Sequence, residues 1–286
     1  MPTNKARITA LAALALLLPC GCVDLPGAQS PSGREPSAVR LPDGFSLGMR
    51  EQQTLHFIVK AHSQEDAAEY GDLSEKLYQQ IMQATGLYSF VPKQSYELVV
   101  LADRQEYISK TRAPEWSGGV TVGNAIVVFD SPQVQPIIAH EMTHLVFNEF
   151  MERPRRDLTW LNEGLAVSIE KKNYSASQLV GYSNSCSAAL RYGGVKLENL
   201  MLSTPIGENR TGAEAWYCQA NSVVSYLLDK GGGLPFSIFV SKLKNGSTLD
   251  QALDIAYNGQ WASSAALEKD WAAASGIKIN AGLSPN

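Results

Sequence analysis

The segment His140-Glu141-Met142-Thr143-His144 sets two histidines four residues apart, and this spacing constrains the chain more than any other feature. On an α-helix, four residues bring a side chain back to within about 40° of the same face, so both imidazoles can reach one metal ion. Glu141 lies about 100° further round the helix. There its carboxylate can take a proton from a water without ligating the metal. A third donor, Glu163, follows nineteen residues after His144, inside Trp160-Leu161-Asn162-Glu163-Gly164-Leu165-Ala166, on a second helix reached through a turn at Pro154. Two neutral histidines and one carboxylate make a three-ligand zinc site with an open fourth position, which a catalytic zinc needs and a structural zinc lacks. The alternative, two core histidines and a surface carboxylate, requires three coincidences at ligand spacing. The fold must therefore bring two consecutive helices together at His140, His144 and Glu163.

This stretch of about 30 residues resembles the zinc-binding segments of the gluzincin metallopeptidases, both the aminopeptidase-N-like enzymes and the smaller peptidase MA-like families. A weaker likeness runs through the region after Gly212. The resemblance implies a zincin-like fold and a zinc-dependent (Zn2+) peptidase, with His140, His144 and Glu163 holding the metal and Glu141 as general base. Peptide hydrolysis also calls for a donor to the tetrahedral oxyanion, and no histidine follows His144. Tyr174, Tyr182, Tyr192 and Tyr217 are the candidates. Tyr217 resembles the family's tyrosine best, and it opens a helix whose Trp216, Ala220, Val223 and Leu227 form a packing stripe. A core aromatic with a satisfied hydroxyl is its other reading.

The aminopeptidases carry a Gly-x-Met-Glu-Asn segment whose Glu anchors the substrate amine. Here no acidic residue lies between Glu115 and Asp130. An endopeptidase is therefore expected, with the strand Asn124–Phe129 pairing with an extended peptide or protein substrate. Two other readings stay open: a catalytically silent binding or assembly lipoprotein, and a zinc amidase acting on a non-protein substrate. Glu170, seven residues after Glu163 and so on about the same helix face, can orient a ligand histidine or face solvent. His56 and His62 are too far apart on or beyond a strand to chelate.

The N-terminus carries Lys5 and Arg7 ahead of an apolar run from Ile8 to Leu18, too short to span a bilayer. It ends in Leu17-Leu18-Pro19-Cys20-Gly21-Cys22, which resembles a bacterial lipobox. Cys22 is favoured over Cys20 as the lipidated residue, and secretion without lipid is the alternative. The expected location is thus the cell envelope, lipid-anchored and facing the periplasm or exterior. The remaining Cys186 and Cys218 are expected to form a disulfide, whose loop of about 30 residues stabilises by roughly 3 kcal/mol. With a net charge of -4 and no basic block longer than Arg153, Arg155 and Arg156, nucleic acid is excluded as a partner.

Residues 1–22 read as the export signal and residues 23–48, rich in Pro, Gly and Ser, as a flexible linker. Residues 49–286 form the zincin-like domain. Strands are expected at Thr54–Lys60, at Tyr96–Ala102 and within Gly119–Phe129 around a Gly123-Asn124 turn. A helix over Gln64–Thr85 ends at Gly86. Beyond Pro136, expected as a first helical residue, the period becomes helical over 136–151, 159–172, 212–229, 235–245, 248–257 and 263–274. The class is α+β: a small mixed sheet in the half 49–135 and a mainly α-helical half 136–286.

Overall fold

The computed structural model describes residues 41–280 apart from residues 43, 116, 154 and 206–209. The export signal, Cys20, Cys22 and most of the expected tether lie outside the described residues. In chain order the elements are β1 (Arg50–Gln53), β2 (Phe57–Ala61), α1 (Gln64–Thr85), β3 (Tyr96–Leu101), α2 (Arg104–Thr111), β4 (Gly119–Val122), β5 (Ala125–Phe129) and α3 (Val134–Met151). A 3-10 turn (Arg156–Leu158) leads to α4 (Thr159–Lys171), α5 (Ala176–Ala189), β6 (Gly194–Val195), α6 (Leu197–Leu202), α7 (Arg210–Gly231), α8 (Gly233–Lys244), α9 (Leu249–Ala256), α10 (Ser264–Ser275) and β7 (Ile279–Asn280). The mixed α+β class, with its sheet in the first half and helices dominating the second, is the one expected from the sequence.

Five strands form one sheet in the order β1-β2-β3-β5-β4. β2, β3 and β5 run parallel, while β1 and β4 are antiparallel edge strands on β2 and β5. Alternation splits each inner strand between two cores. Leu98, Val100, Ile126 and Val128 face α1 and α3 in the main core. Val99, Leu101, Val127 and Phe129 face a smaller one with Tyr107 of α2. All five residues of β5 are buried, as a strand covered on both faces requires.

β5 is thus interior, flanked by β3 and β4, which corrects the expectation that Asn124–Phe129 offers its backbone to a substrate. The open edge belongs to β4. The hairpin that joins the two turns at Gly123, whose φ of 63° suits glycine. Leu41, Phe45 and Met49, around the expected end of the tether, are partly buried against the smaller core.

α1 forms over the expected residues. Ser63 caps its N-terminus by accepting the Asp66 N–H, and Gly86 ends it in the left-handed conformation. α3 starts two residues before Pro136, which therefore sits third. That position is tolerated because the first four helical N–H groups have no intrahelical partner.

Candidate functional site

α3 lies between the sheet and α4 and is buried on nearly every side; His140, Glu141 and His144 are all buried. Helical spacing sets the two imidazole rings edge to face, with centroids 4.8 Å apart. α4 runs alongside α3 and brings Glu163 to the same point. Its Oε2 stands 3.8 Å from His140 Nε2 and 3.5 Å from His144 Nε2. Trp160, Leu161, Leu165, Val167 and Ile169 fix α4 in the main core, which is the packing role expected for the apolar part of the motif. Gly164 allows α7 to close on α4 from the far side: a Cβ there would come 2.5 Å from the Ala220 carbonyl oxygen.

Three ligand atoms, one each from His140, His144 and Glu163, lie within 4.8 Å of one another. The two Nε2 atoms are buried and make no hydrogen bond among the described residues. Leaving such groups without a partner is costly. The carboxylate separations of 3.5 and 3.8 Å are too long for hydrogen bonds. They suit donors sharing an ion, since tetrahedral bonds of about 2.1 Å put ligands about 3.4 Å apart. Nitrogen and oxygen donors in this number fit zinc.

Around the cluster, each histidine is held by its other nitrogen. His140 Nδ1 donates to Glu170 Oε2 at 2.8 Å, and Tyr174 donates to Glu170 Oε1 at 2.7 Å. His144 Nδ1 donates to Asn162 Oδ1 at 3.0 Å, while the Asn162 amide donates to Asn148. Both bonds fix the tautomer that turns an Nε2 lone pair toward the shared point. Glu170 is only 4% exposed, so of its two readings the orienting one holds. Burial alone would push the His140 pKa down. The carboxylates of Glu170, Glu141 and Glu163 outweigh it and hold the pKa up at about 9. A site that retains a proton so firmly has the negative field to retain a divalent cation.

Glu141 faces β4. Its Oε2 accepts a 2.8 Å hydrogen bond from the Thr121 hydroxyl. Gly119, two residues earlier on the same face, leaves space for this side chain. A Cβ at Gly119 would come within 3.2 Å of Glu141 Cγ and 2.7 Å of Ile137 Cγ2. A cavity of about 450 Å³ opens between β4, α3 and the segment joining α3 to α4, and Thr121, Glu141, His144, Asn162 and Glu163 all line it. A larger groove of about 810 Å³ beside α5, α7 and α10 contains none of the three ligand residues.

His140, His144 and Glu163 thus meet at one point, and Glu141 lines the cavity beside them. Tyr217 is on α7, buried, with its ring edge-on to Trp216 at 5.3 Å, and it is not among the residues lining the cavity. Tyr174 donates to Glu170, Tyr182 donates to Asn221, and Tyr192 is exposed. His56 pairs with Glu75 and His62 with Glu106, in line with their exclusion as a chelate. Sequence reasoning missed Thr121 and Asn162. Asn162 was signalled by its place beside Glu163. Thr121 had no signal, because nothing in a short β-branched strand says which helix it will face. Cys186 and Cys218 form the expected disulfide, their Cα atoms 5.4 Å apart.

A family model described as the peptidase MA superfamily matches residues 79–275, from the last third of α1 to the end of α10. A search of curated proteins found no match.

Proposed function

This chain belongs to the peptidase MA superfamily, and from that premise we propose that it is a zinc-dependent endopeptidase with His140, His144 and Glu163 as metal ligands and Glu141 as general base. The observation that carries the reading is the pair of buried, unbonded Nε2 atoms facing the Glu163 carboxylate. Zinc held there would polarise the scissile carbonyl and lower the pKa of a water toward about 7.

The chain's own residues do the rest. Glu141 takes the proton of the attacking water and passes it to the leaving amine as the C–N bond breaks. The Thr121 hydroxyl donates to Glu141 Oε2, which keeps the carboxylate from swinging in the cavity that Glu141 lines. Glu170 and Asn162 keep the two imidazoles in register. Tyr217 is proposed as the oxyanion donor, on a helix that Gly164 seats directly against that of Glu163. Its ring packs on Trp216 and does not line the cavity, so the role requires the hydroxyl to move toward the cluster, and Tyr217→Phe tests it through kcat.

Endopeptidase action is supported by β4. In a two-residue hairpin Val122 and Ala125 form a hydrogen-bonded pair, so Thr121 turns its N–H and C=O to the open edge. An extended peptide can add there with chain on both sides of the cleaved bond. The lining carboxylates are Glu141, Glu163 and Glu152, and Glu152 is paired with Lys244 at 2.8 Å. No spare carboxylate among the described lining residues would anchor a free N-terminal amine. Export to the cell envelope with a lipid on Cys22, or on Cys20, completes the proposal. The Cys186–Cys218 disulfide supports an oxidising compartment, and mass spectrometry of the mature N-terminus tests the anchor.

The test of function is zinc content and hydrolysis of a mixed peptide library by the chain and by its Glu141→Gln variant. One zinc in each, internal cleavage by the parent and none by the variant are expected. Zinc without turnover would favour the binding protein or the non-protein amide, release of single N-terminal residues would reverse the endopeptidase assignment, and no zinc would end the proposal.

A further inference from the structure

Hydrolysis at this site does not require the charge that surrounds it. Arg153, Arg155 and Arg156 all line the cavity that holds Glu141 and Glu163. Such a run usually faces water; here the turn after α3 folds it over the cavity. Arg155 is committed. It forms a two-pronged pair with Asp157 at 2.9 and 2.6 Å and donates to the Leu243 carbonyl at 2.8 Å. Glu152 is occupied by Lys244. The Asp157 carboxyl is held below its ordinary range first by Arg155 and also by the charge of Arg153, but its oxygens are taken by Arg155. Among the described residues, the guanidinium groups of Arg153 and Arg156 make neither a hydrogen bond nor an ion pair, and both residues are exposed. The rim therefore carries a surplus of two positive charges beside the cluster.

We propose that Arg153 and Arg156 bind a carboxylate of the peptide substrate, so that the site selects chains with an acidic side chain or a free C-terminus close to the cleaved bond. This deepens, and rests on, the peptidase reading of the site. A guanidinium offers a planar fork that matches a carboxylate with two parallel bonds. The two sources of carboxylate differ in consequence: an acidic side chain gives cleavage within chains, a terminal carboxylate gives cleavage near their ends.

Binding, measured apart from turnover, tests this. Fluorescence anisotropy of labelled peptides is read on the full chain carrying Glu141→Gln, in zinc-containing buffer. One Glu is moved through successive positions of a neutral scaffold, with Gln peptides as controls, and each peptide is made as free acid and as amide. The expected result is a two- to tenfold tighter Kd, about the worth of one or two solvent-exposed ion pairs, at one or two adjacent Glu positions or for the free acid. Adding Arg153→Gln and Arg156→Gln should bring that ratio to about one, and Arg153→Glu with Arg156→Glu should invert it in favour of Lys peptides. Position-dependence identifies a side chain as the source, and acid-over-amide dependence identifies the terminus. Equal binding of Glu and Gln peptides together with equal binding of acid and amide, or a preference that survives loss of both arginines, overturns the inference while leaving cleavage intact. Failure of every peptide to bind overturns it together with the peptidase reading.

Discussion

Glu170→Gln is the substitution that best isolates how the cluster is held. Gln has the same shape and can still accept from His140 Nδ1 at the observed 2.8 Å, while its amide nitrogen would donate to the Tyr174 hydroxyl that now donates to Glu170 Oε1, so the change removes a charge and reverses one hydrogen bond. A hydrogen bond to a charged group contributes about 1.5–3 kcal/mol and a neutral one roughly half of that. Losing the charge also lowers the basicity of the imidazole toward its metal. With Glu170 4% exposed, solvent screens little of this. The expected cost is about 1.5–3 kcal/mol in zinc binding, a ten- to hundredfold weaker Kd, within the range known for such outer partners. Competition against a chromophoric zinc chelator reads the affinity, and peptide hydrolysis at saturating zinc reads everything else. The substitution should act on the first far more than on the second. An unchanged Kd, or a loss of turnover that saturating zinc does not restore, would refute the idea that Glu170 works through His140 and the metal.

Three further outcomes are expected. Gly164→Ala forces α4 and α7 apart, because its Cβ would stand 2.5 Å from a backbone oxygen and 2.7 Å from Val224 Cγ2; a loss of about 1–3 kcal/mol follows, seen as a Tm lower by several degrees, and an unchanged Tm would show that the helix pair can relax. In the metal-free protein the His140 pKa of about 9 lies above its ordinary 6.5, so the proton contributes stability on the order of 3 kcal/mol that is fully present below pH 6.5 and lost as pH rises through 9. Urea unfolding at pH 6 and pH 9.5 measures this, and a flat profile contradicts the field assigned to the three carboxylates. Reducing Cys186–Cys218 should cost about 3 kcal/mol, and hydrogen exchange should rise first in α5, none of whose residues is buried; uniform deprotection would show that the bridge supports the whole domain.

What could be read beforehand follows from which interactions are local. α1 was legible to the residue because its cap at Ser63, its stripe through Leu77 and Ile81 and its stop at Gly86 are all written within it. The metal cluster was legible because helix geometry converts the spacing of His140 and His144 into a shared face. α5 went unseen because it has no buried stripe; a capping box from Ser175 to Gln178 and the disulfide hold it. α2 has a single buried anchor, Tyr107, too little for periodicity to register. The misplaced edge has another cause. Strand composition marks β5 as buried but does not say on which side β4 will pair, and only the sheet order puts Thr121 rather than the β5 backbone beside Glu141.

The two ends of the sheet deal with a common hazard in unlike ways. An unpaired strand invites another copy of itself to join, and the usual protection is charge or brevity. β1 follows that rule with Arg50, Glu51, Gln52 and Gln53. β4 cannot be armoured in this manner if it is to receive a polypeptide, and its sequence Gly119-Val120-Thr121-Val122 is uncharged. Its safety lies in being four residues long and lying beside a cavity walled by α3. On the proposed reading an extended substrate would add at this same edge, so brevity and the neighbouring helix are the protections that remain compatible with that role.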